Sequence, residues 1–252
     1  MTMQERADTG RGSAEAWSGG LAVGGLTPLS TTDWPGMLAG VVFCQGCPWR
    51  CPYCQNPSLR PFGPGERPWA GVLDWLGGRA GLLEAVVFSG GEPLLQPDLG
   101  AAMEAVRDLG FSIGLHTSGQ DPEALARVLP RCHWVGLDLK APRADYGRIT
   151  GVRTGSGGAG AAWRCLDLLR ESGLPFEVRT TWHPALLTEA GLLTLAHELS
   201  QAGPLTWAVQ AFQPGGCQDA ALAGAGRAVL SGSLARDLGA ALGPSGRLVV
   251  RG

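Results

Sequence analysis

Six short apolar runs recur along this chain with helical sequence between them, and that alternation limits the fold more than any other feature. The runs are Leu38–Phe43, Ala85–Phe88, Phe111–His116, Trp134–Leu139, Phe176–Thr181 and Leu205–Phe212. Their length and β-branched content suit buried strands rather than helices. Between them, Trp69–Leu83, Asp98–Leu109, Pro122–Leu129, Ala161–Glu171 and Thr188–Gln201 predict helices. Asp121 and Pro122 form a helix start, and Gly110 and Gly173 are stops. A weaker helical region covers Asp219–Leu242, and Leu248–Val250 predicts a last short strand. Strands alternating with helices imply a parallel α/β sheet with the helices outside. At 252 residues the chain fits one domain, since α/β barrels reach this size without splitting. Residues 21–252 are therefore expected to form a single domain. Residues 1–20 are polar and without periodicity, and predict a mobile tail.

Charge excludes some functions. The formal net charge is −2, so nothing in it favours nucleic acid or an anionic membrane as partner. No apolar run approaches the ~18 residues of a spanning helix. The first twenty residues lack the apolar core of a signal peptide. The cysteine count is seven, an odd number, and four are clustered, which argues against a disulfide framework and for a reducing cytoplasm.

Polar residues gather at one end of the expected strands. Cysteines follow the first run, Gly90-Gly91-Glu92 the second, and His116-Thr117-Ser118 the third. Asp138 and Lys140 end the fourth, Arg179 lies in the fifth, and Gln213 follows the sixth. Parallel α/β folds build their sites at that end of the sheet.

The densest chemistry is CQGCPWRCPYC, Cys44 to Cys54. Thiolates select zinc, copper(I) or iron–sulfur clusters. The spacing leaves three readings open. Cys44, Cys47, Cys51 and Cys54 could be two CxxC pairs on one zinc, although zinc ribbons separate such pairs by about 15–20 residues. All four could hold an iron–sulfur cluster, although ferredoxin spacing differs. Cys47, Cys51 and Cys54 alone, as CxxxCxxC, could hold three irons of a [4Fe–4S] cluster and leave the fourth iron open. By analogy with zinc, an open position marks a catalytic rather than a structural site.

CxxxCxxC with Tyr53 before its last cysteine resembles the signature of radical S-adenosylmethionine (radical SAM) enzymes. The line TDWPGMLAGVVFCQGCPWRCPYCQNPSL, with SGGEPLLQPDL, GLHTSG, GLDLKAP, YGRITG and RTTWHP, is similar to one subgroup, the activating proteins of anaerobic ribonucleoside-triphosphate reductase. It runs from about Gly24 to the C-terminal RLVVRG.

The resemblance implies a partial (βα)6 TIM-like barrel, open on one side so that a protein loop can reach the site. It implies Cys47, Cys51 and Cys54 as ligands of one [4Fe–4S] cluster. It assigns Tyr53, Gly90, Gly91, Glu92, Thr117, Asp138, Lys140 and Arg179 to the binding of S-adenosylmethionine. The implied activity is that of an oxidoreductase. Reductive cleavage of S-adenosylmethionine yields a 5′-deoxyadenosyl radical, which takes a hydrogen from a backbone glycine of the reductase. Electrons would come from a donor such as flavodoxin or ferredoxin. Two rivals stand beside it: the same chemistry on a small molecule or another protein, and a non-enzymatic zinc or redox module.

Some residues have plainer readings. Asp138 and Lys140 share a strand face by alternation, and could simply form a strand-end salt bridge. Arg179, if buried, needs an anion, and the cofactor carboxylate is the expected one. Ser118, Gln55 and Gln213 depart from the residues common in relatives. Cys44, just past a strand, reads as a small apolar side chain. Cys132, Cys165 and Cys217 read as core or surface thiols, and His183 and His197 as structural residues.

Overall fold

The computed structural model describes residues 20–152 and 158–252. The expected tail therefore lies outside the described residues, apart from Gly20, as does the middle of the glycine-rich stretch Gly151–Gly160.

The fold is α/β. Eight strands form one sheet in sequence order, each strand beside the next. They are β1 (Val23–Ser30), β2 (Ala39–Cys44), β3 (Ala85–Gly90), β4 (Ser112–Thr117), β5 (Trp134–Asp138), β6 (Phe176–Trp182), β7 (Leu205–Ala211) and β8 (Gly246–Arg251). From β2 onward every neighbouring pair is parallel. All six expected strands and the last short one are present. β1 is an addition. It pairs antiparallel with β2, and Gly24, Gly25 and Pro28 interrupt the alternation that would have marked it.

The helices are α1 (Trp69–Gly77), α2 (Leu99–Asp108), α3 (Pro122–Val128), α4 (Tyr146–Thr150), α5 (Gly158–Ser172), α6 (Glu189–Ser200), α7 (Ala220–Ala225) and α8 (Gly232–Leu242). Local chemistry sets their ends. The Asp121, Thr188, Asp219 and Ser231 side chains accept backbone N–H groups at the starts of α3, α6, α7 and α8. α1 stops six residues short of its expected end at Leu83, because the Gly77-Gly78 pair weakens the helix there. The weak region 219–242 splits into α7 and α8 at Gly226, whose φ of +72° lies outside helical space.

The sheet curls. Trp34, in the β1–β2 connection, stacks on Trp134 of β5 with ring centroids 5.6 Å apart. These two rings, with Ala39, Val41, Ala85 and Val87, fill the concave side of the sheet. The larger core lies between the convex side and the helices, and includes Phe88, Met103, Leu125, Leu166 and Leu195. β1 and β8 are the two ends of the sheet order, so the barrel is partial.

Candidate active site

The carboxyl end of β2 runs directly into the cysteine loop. Backbone bonds pin that loop from several sides. Gly46 N donates to Leu59 O (2.7 Å), Cys47 N to Arg60 O (2.9 Å), Glu92 N to Gly46 O (2.9 Å) and Arg50 N to Thr150 O (2.9 Å). The last bond explains part of the YGRITG segment, which forms α4 beside the loop. Tyr146 also meets Trp49 edge-on, with centroids 5.8 Å apart. Nothing in the spacing of the sequence pointed to α4 as a support for the cysteines.

Cys47, Cys51 and Cys54 are half-buried and border one cleft, whose empty space is about 870 Å³. Tyr53, Gly90, Gly91, Thr117, Asp138, Lys140 and Arg179 border the same cleft. The structure thus brings together ten of the eleven residues expected at the site. The eleventh, Glu92, is fully buried and is not on the cleft wall. Its Oε1 accepts from Thr117 Oγ1 (2.6 Å) and Leu94 N (3.1 Å), and its Oε2 from Ser118 N (2.9 Å) and Oγ (2.5 Å). Glu92 therefore joins the loop after β3 to the loop after β4. Burial pushes its carboxyl up, and these hydrogen bonds oppose the shift.

The two glycines have a reason to be glycines. A Cβ on Gly90 (φ +113°) would fall 2.4 Å from Cys44 N, and one on Gly91 would fall 2.3 Å from Gly46 O. The cysteine loop itself occupies the space a side chain would need. The close approach that glycine permits is to protein backbone.

Cys44 is fully buried, sits in the core and does not border the cleft. Burial pushes its thiol far up. That is the environment of an apolar side chain. Two of the loop cysteines are raised as well. Burial, then the Glu92 charge, lifts Cys47 to about 11. Burial also lifts Cys51, and the nearby Lys140 ammonium opposes it. Metal coordination deprotonates such thiols outright.

An ion network borders the same cleft. Arg179 of β6 donates to Asp138 Oδ1 from Nε (3.0 Å) and Nη2 (2.8 Å). Lys140 Nζ lies 3.3 Å from Asp138 Oδ2 and 5.6 Å from the centre of the Tyr53 ring. The anion that compensates buried Arg179 is thus Asp138 rather than an external carboxylate. The strand-end salt bridge is real, and it sits on the cleft. Burial pushes the Asp138 carboxyl up, but Arg179 and Lys140 outweigh it and hold it at about 2.

Several residues outside the expected set stand at the cleft, among them His116, Ser89 and Thr181, and Gln120 stands behind its wall. His116 Nε2 lies 2.7 Å from Arg179 Nη1 and 2.6 Å from Asp33 O. A neutral ring nitrogen can accept from the guanidinium or donate to the carbonyl, not both. Burial, then the Arg179 charge, lowers His116 to about 3. Ser89 Oγ lies 3.3 Å from its other ring nitrogen. Gln120 donates to Cys47 Sγ (3.5 Å) and Ser118 Oγ (2.9 Å). Thr181 lies two residues beyond Arg179 on the same face of β6. The signal was position: each follows or ends a strand at the carboxyl edge. Gln55, also on the cleft, donates to Gln213 O at 3.2 Å.

His183 and His197 stand apart from this cleft. His183 accepts from Ala185 N (3.1 Å) and packs on Phe212. His197 is exposed on α6. Cys132 and Cys165 are core thiols, and Cys217 donates to Pro52 O at 3.2 Å.

The donor set fits a cluster. Among the described residues, no three Cys, His, Asp or Glu side chains converge as they would around a single metal ion. Three thiols sharing one cleft suit a group that offers each its own iron. Lys140 supplies positive charge near Cys51, and Arg179 borders the same cleft.

Comparison with known proteins agrees. The model of the Radical SAM superfamily matches residues 41–186, more than half of the chain. A Methanocaldococcus jannaschii protein that carries the name of a glycyl-radical enzyme activating enzyme is 28% identical over 201 residues, 76% of this chain and 80% of that one. The pyruvate formate-lyase-activating enzyme of Clostridium pasteurianum is 32% identical over 139 residues, 50% of this chain and 56% of its own length. The PqqA peptide cyclase of Gluconobacter oxydans is 34% identical over 146 residues, 54% of this chain and 39% of its own. The chain thus spans about half or less of the length of these last two. The solved structure of QueE from Escherichia coli shares the fold with a TM-score of 0.53 at 16% identity, over 92% of this chain and 93% of that one. By its sequence match and by the cleft its three cysteines border, this chain belongs to the Radical SAM superfamily, whose members use a [4Fe–4S] cluster and S-adenosylmethionine.

Proposed function

We propose that this protein is a glycyl-radical activating enzyme whose target is an anaerobic ribonucleoside-triphosphate reductase. The observation that carries the reading is the meeting of three half-buried thiols with the polar ends of four strands in one cleft. The activating-enzyme relatives support it, one of them over three quarters of the chain.

In this reading Cys47, Cys51 and Cys54 hold the cluster. Tyr53, Gly90, Gly91, Thr117, Asp138, Lys140 and Arg179 form the cradle for S-adenosylmethionine. Glu92 serves the cradle indirectly, by fixing Thr117 and the turn after it. Bound together, these groups would supply a 5′-deoxyadenosyl radical able to take hydrogen from a glycine of the target. The chain's own task is to bind, orient and exclude water, and no acid or base is required of it. A flavodoxin or ferredoxin is the expected electron donor, and a reducing cytoplasm the expected setting. Among the described residues no helix is long and apolar enough to cross a membrane.

The match to a peptide cyclase favours one second reading, the same chemistry on a different polypeptide. The test is anaerobic. Reconstituted, reduced protein is mixed with S-adenosylmethionine and the reductase, and the mixture is examined by electron paramagnetic resonance. A glycyl doublet on the reductase supports the proposal. Deoxyadenosine release without that doublet supports the second reading.

A further inference from the structure

We infer that the cleft is one end of a trough that takes a neutral, extended polypeptide, with one nonpolar side chain seated in an apolar cavity at the end of β8. This rests on the reading that the radical is delivered to a polypeptide, and it names how that polypeptide is held.

Three cavities adjoin along the carboxyl edge. The cysteine cleft shares Gln55, Arg179 and Thr181 with a second cavity of about 1050 Å³. That cavity lies between the β1–β2 connection (Thr31, Thr32, Asp33) and the ends of β7 and β8 (Gln210, Arg251). It therefore bridges the open side of the barrel. It shares Ala211, Arg251 and Gly252 with a third cavity of about 350 Å³. The third lies around the strand ends, on the helix side of the sheet, and is walled by Trp182, Val209, Leu230 and Val250, with Arg227 beside them and Val229 at its mouth. Val229 is 87% exposed and Val250 47% exposed. Among the described residues, these are two of six large apolar side chains exposed to water.

Charge selects the occupant. Two arginines border the middle cavity, and neither is free to hold an anion. Arg179 is held by Asp138 at 2.8 Å, and Arg251 by both oxygens of buried Glu177 at 2.6 and 2.7 Å. Asp33 adds negative charge. Within this middle cavity, among the described residues, a phosphorylated small molecule would meet no unpaired cation, while Arg227 borders the third cavity and Arg60 the cysteine cleft. Gln55, Gln210 and Gln213 instead offer side-chain amides, whose donors and acceptors match those of a peptide backbone. Polar walls for the backbone followed by a pocket for one side chain is how extended peptides are recognised.

The test uses the full-length holoenzyme and a synthetic peptide spanning the glycyl segment of an anaerobic ribonucleoside-triphosphate reductase. Peptide-dependent deoxyadenosine formation is followed with wild-type, Val229→Asp and Val250→Asp proteins. It is followed in parallel with a copy of the peptide in which nonpolar side chains are replaced by serine. Burial of one such side chain gives about a tenfold effect. The half-saturating peptide concentration should rise about tenfold for each variant and for the serine copy, with that for S-adenosylmethionine not moving. The serine copy keeps the test independent of how well Val250→Asp folds. Equal half-saturation for both peptides, or for Val229→Asp and wild type, overturns the trough and leaves the activating function standing. Deoxyadenosine formation indifferent to any peptide overturns both.

Discussion

The Gln120 side-chain amide donates to Cys47 Sγ across 3.5 Å, and the same amide donates to Ser118 Oγ at 2.9 Å. Ser118 in turn donates to buried Glu92. One cysteine of the triad is thereby tied to the loops after β3 and β4. Hydrogen bonds to ligand sulfurs help set the potential of an iron–sulfur cluster. A donor at the sulfur favours the more negative, reduced state. Replacing Gln120 by Leu is expected to move the cluster midpoint to more negative potential without loss of iron. A redox titration followed by electron paramagnetic resonance measures this, and an unchanged midpoint would show that the contact does not act on the cluster.

Gly90→Ala should damage the cysteine loop more than the fold. Its Cβ would stand 2.4 Å from Cys44 N, at a backbone angle that side chains avoid. The expected outcome is a folded protein with sharply reduced iron after reconstitution. Circular dichroism and iron analysis together check it, and full iron content would refute the packing account.

Glu92→Ala should cost roughly 3 kcal/mol of stability. Thr117 Oγ1, Ser118 N and Leu94 N would lose a buried acceptor. Denaturant unfolding of the two proteins gives the difference. A loss below about 1 kcal/mol would mean that water replaces the carboxylate.

Stability should fall on acidification in a window set by His116. Its folded value is about 3, below its ordinary 6.5. The unfolded chain therefore takes up a proton that the native ring refuses, and stability declines from about pH 6.5 to about pH 3. The slope is at most about 1.4 kcal/mol per pH unit from this residue. Asp138 acts lower: its carboxyl is held at about 2, so its contribution is present above its ordinary 3.8 and lost as pH falls through about 2. His116→Gln should flatten the upper window and leave the lower one. Unfolding midpoints at several pH values decide this, and parallel slopes for both proteins would contradict it.

The periodicity of the sequence revealed the parallel strands, because buried strands are written in continuous apolar runs such as Val86-Val87-Phe88. β1 was hidden, since Gly24, Gly25 and Pro28 leave no pattern and its pairing comes from β2. The resemblance named eleven residues, and ten of them border one cleft. What could not be read was direction. Glu92 looked like a ligand and faces inward, and Arg179 looked in need of a cofactor and found Asp138 forty-one residues earlier. Contacts between loops, such as Arg50 with Thr150, depend on the curl of the sheet rather than on local sequence.

The central claim is that Cys47, Cys51 and Cys54, and not Cys44, hold the cluster that makes S-adenosylmethionine reactive. It is tested most directly by measuring deoxyadenosine released per protein under dithionite, for the wild type and for single alanine variants of these four cysteines. The account predicts release by the wild type and by Cys44→Ala, and at least a hundredfold less from each of the other three. Release that survives loss of any one of the three, or that vanishes with Cys44, would contradict it.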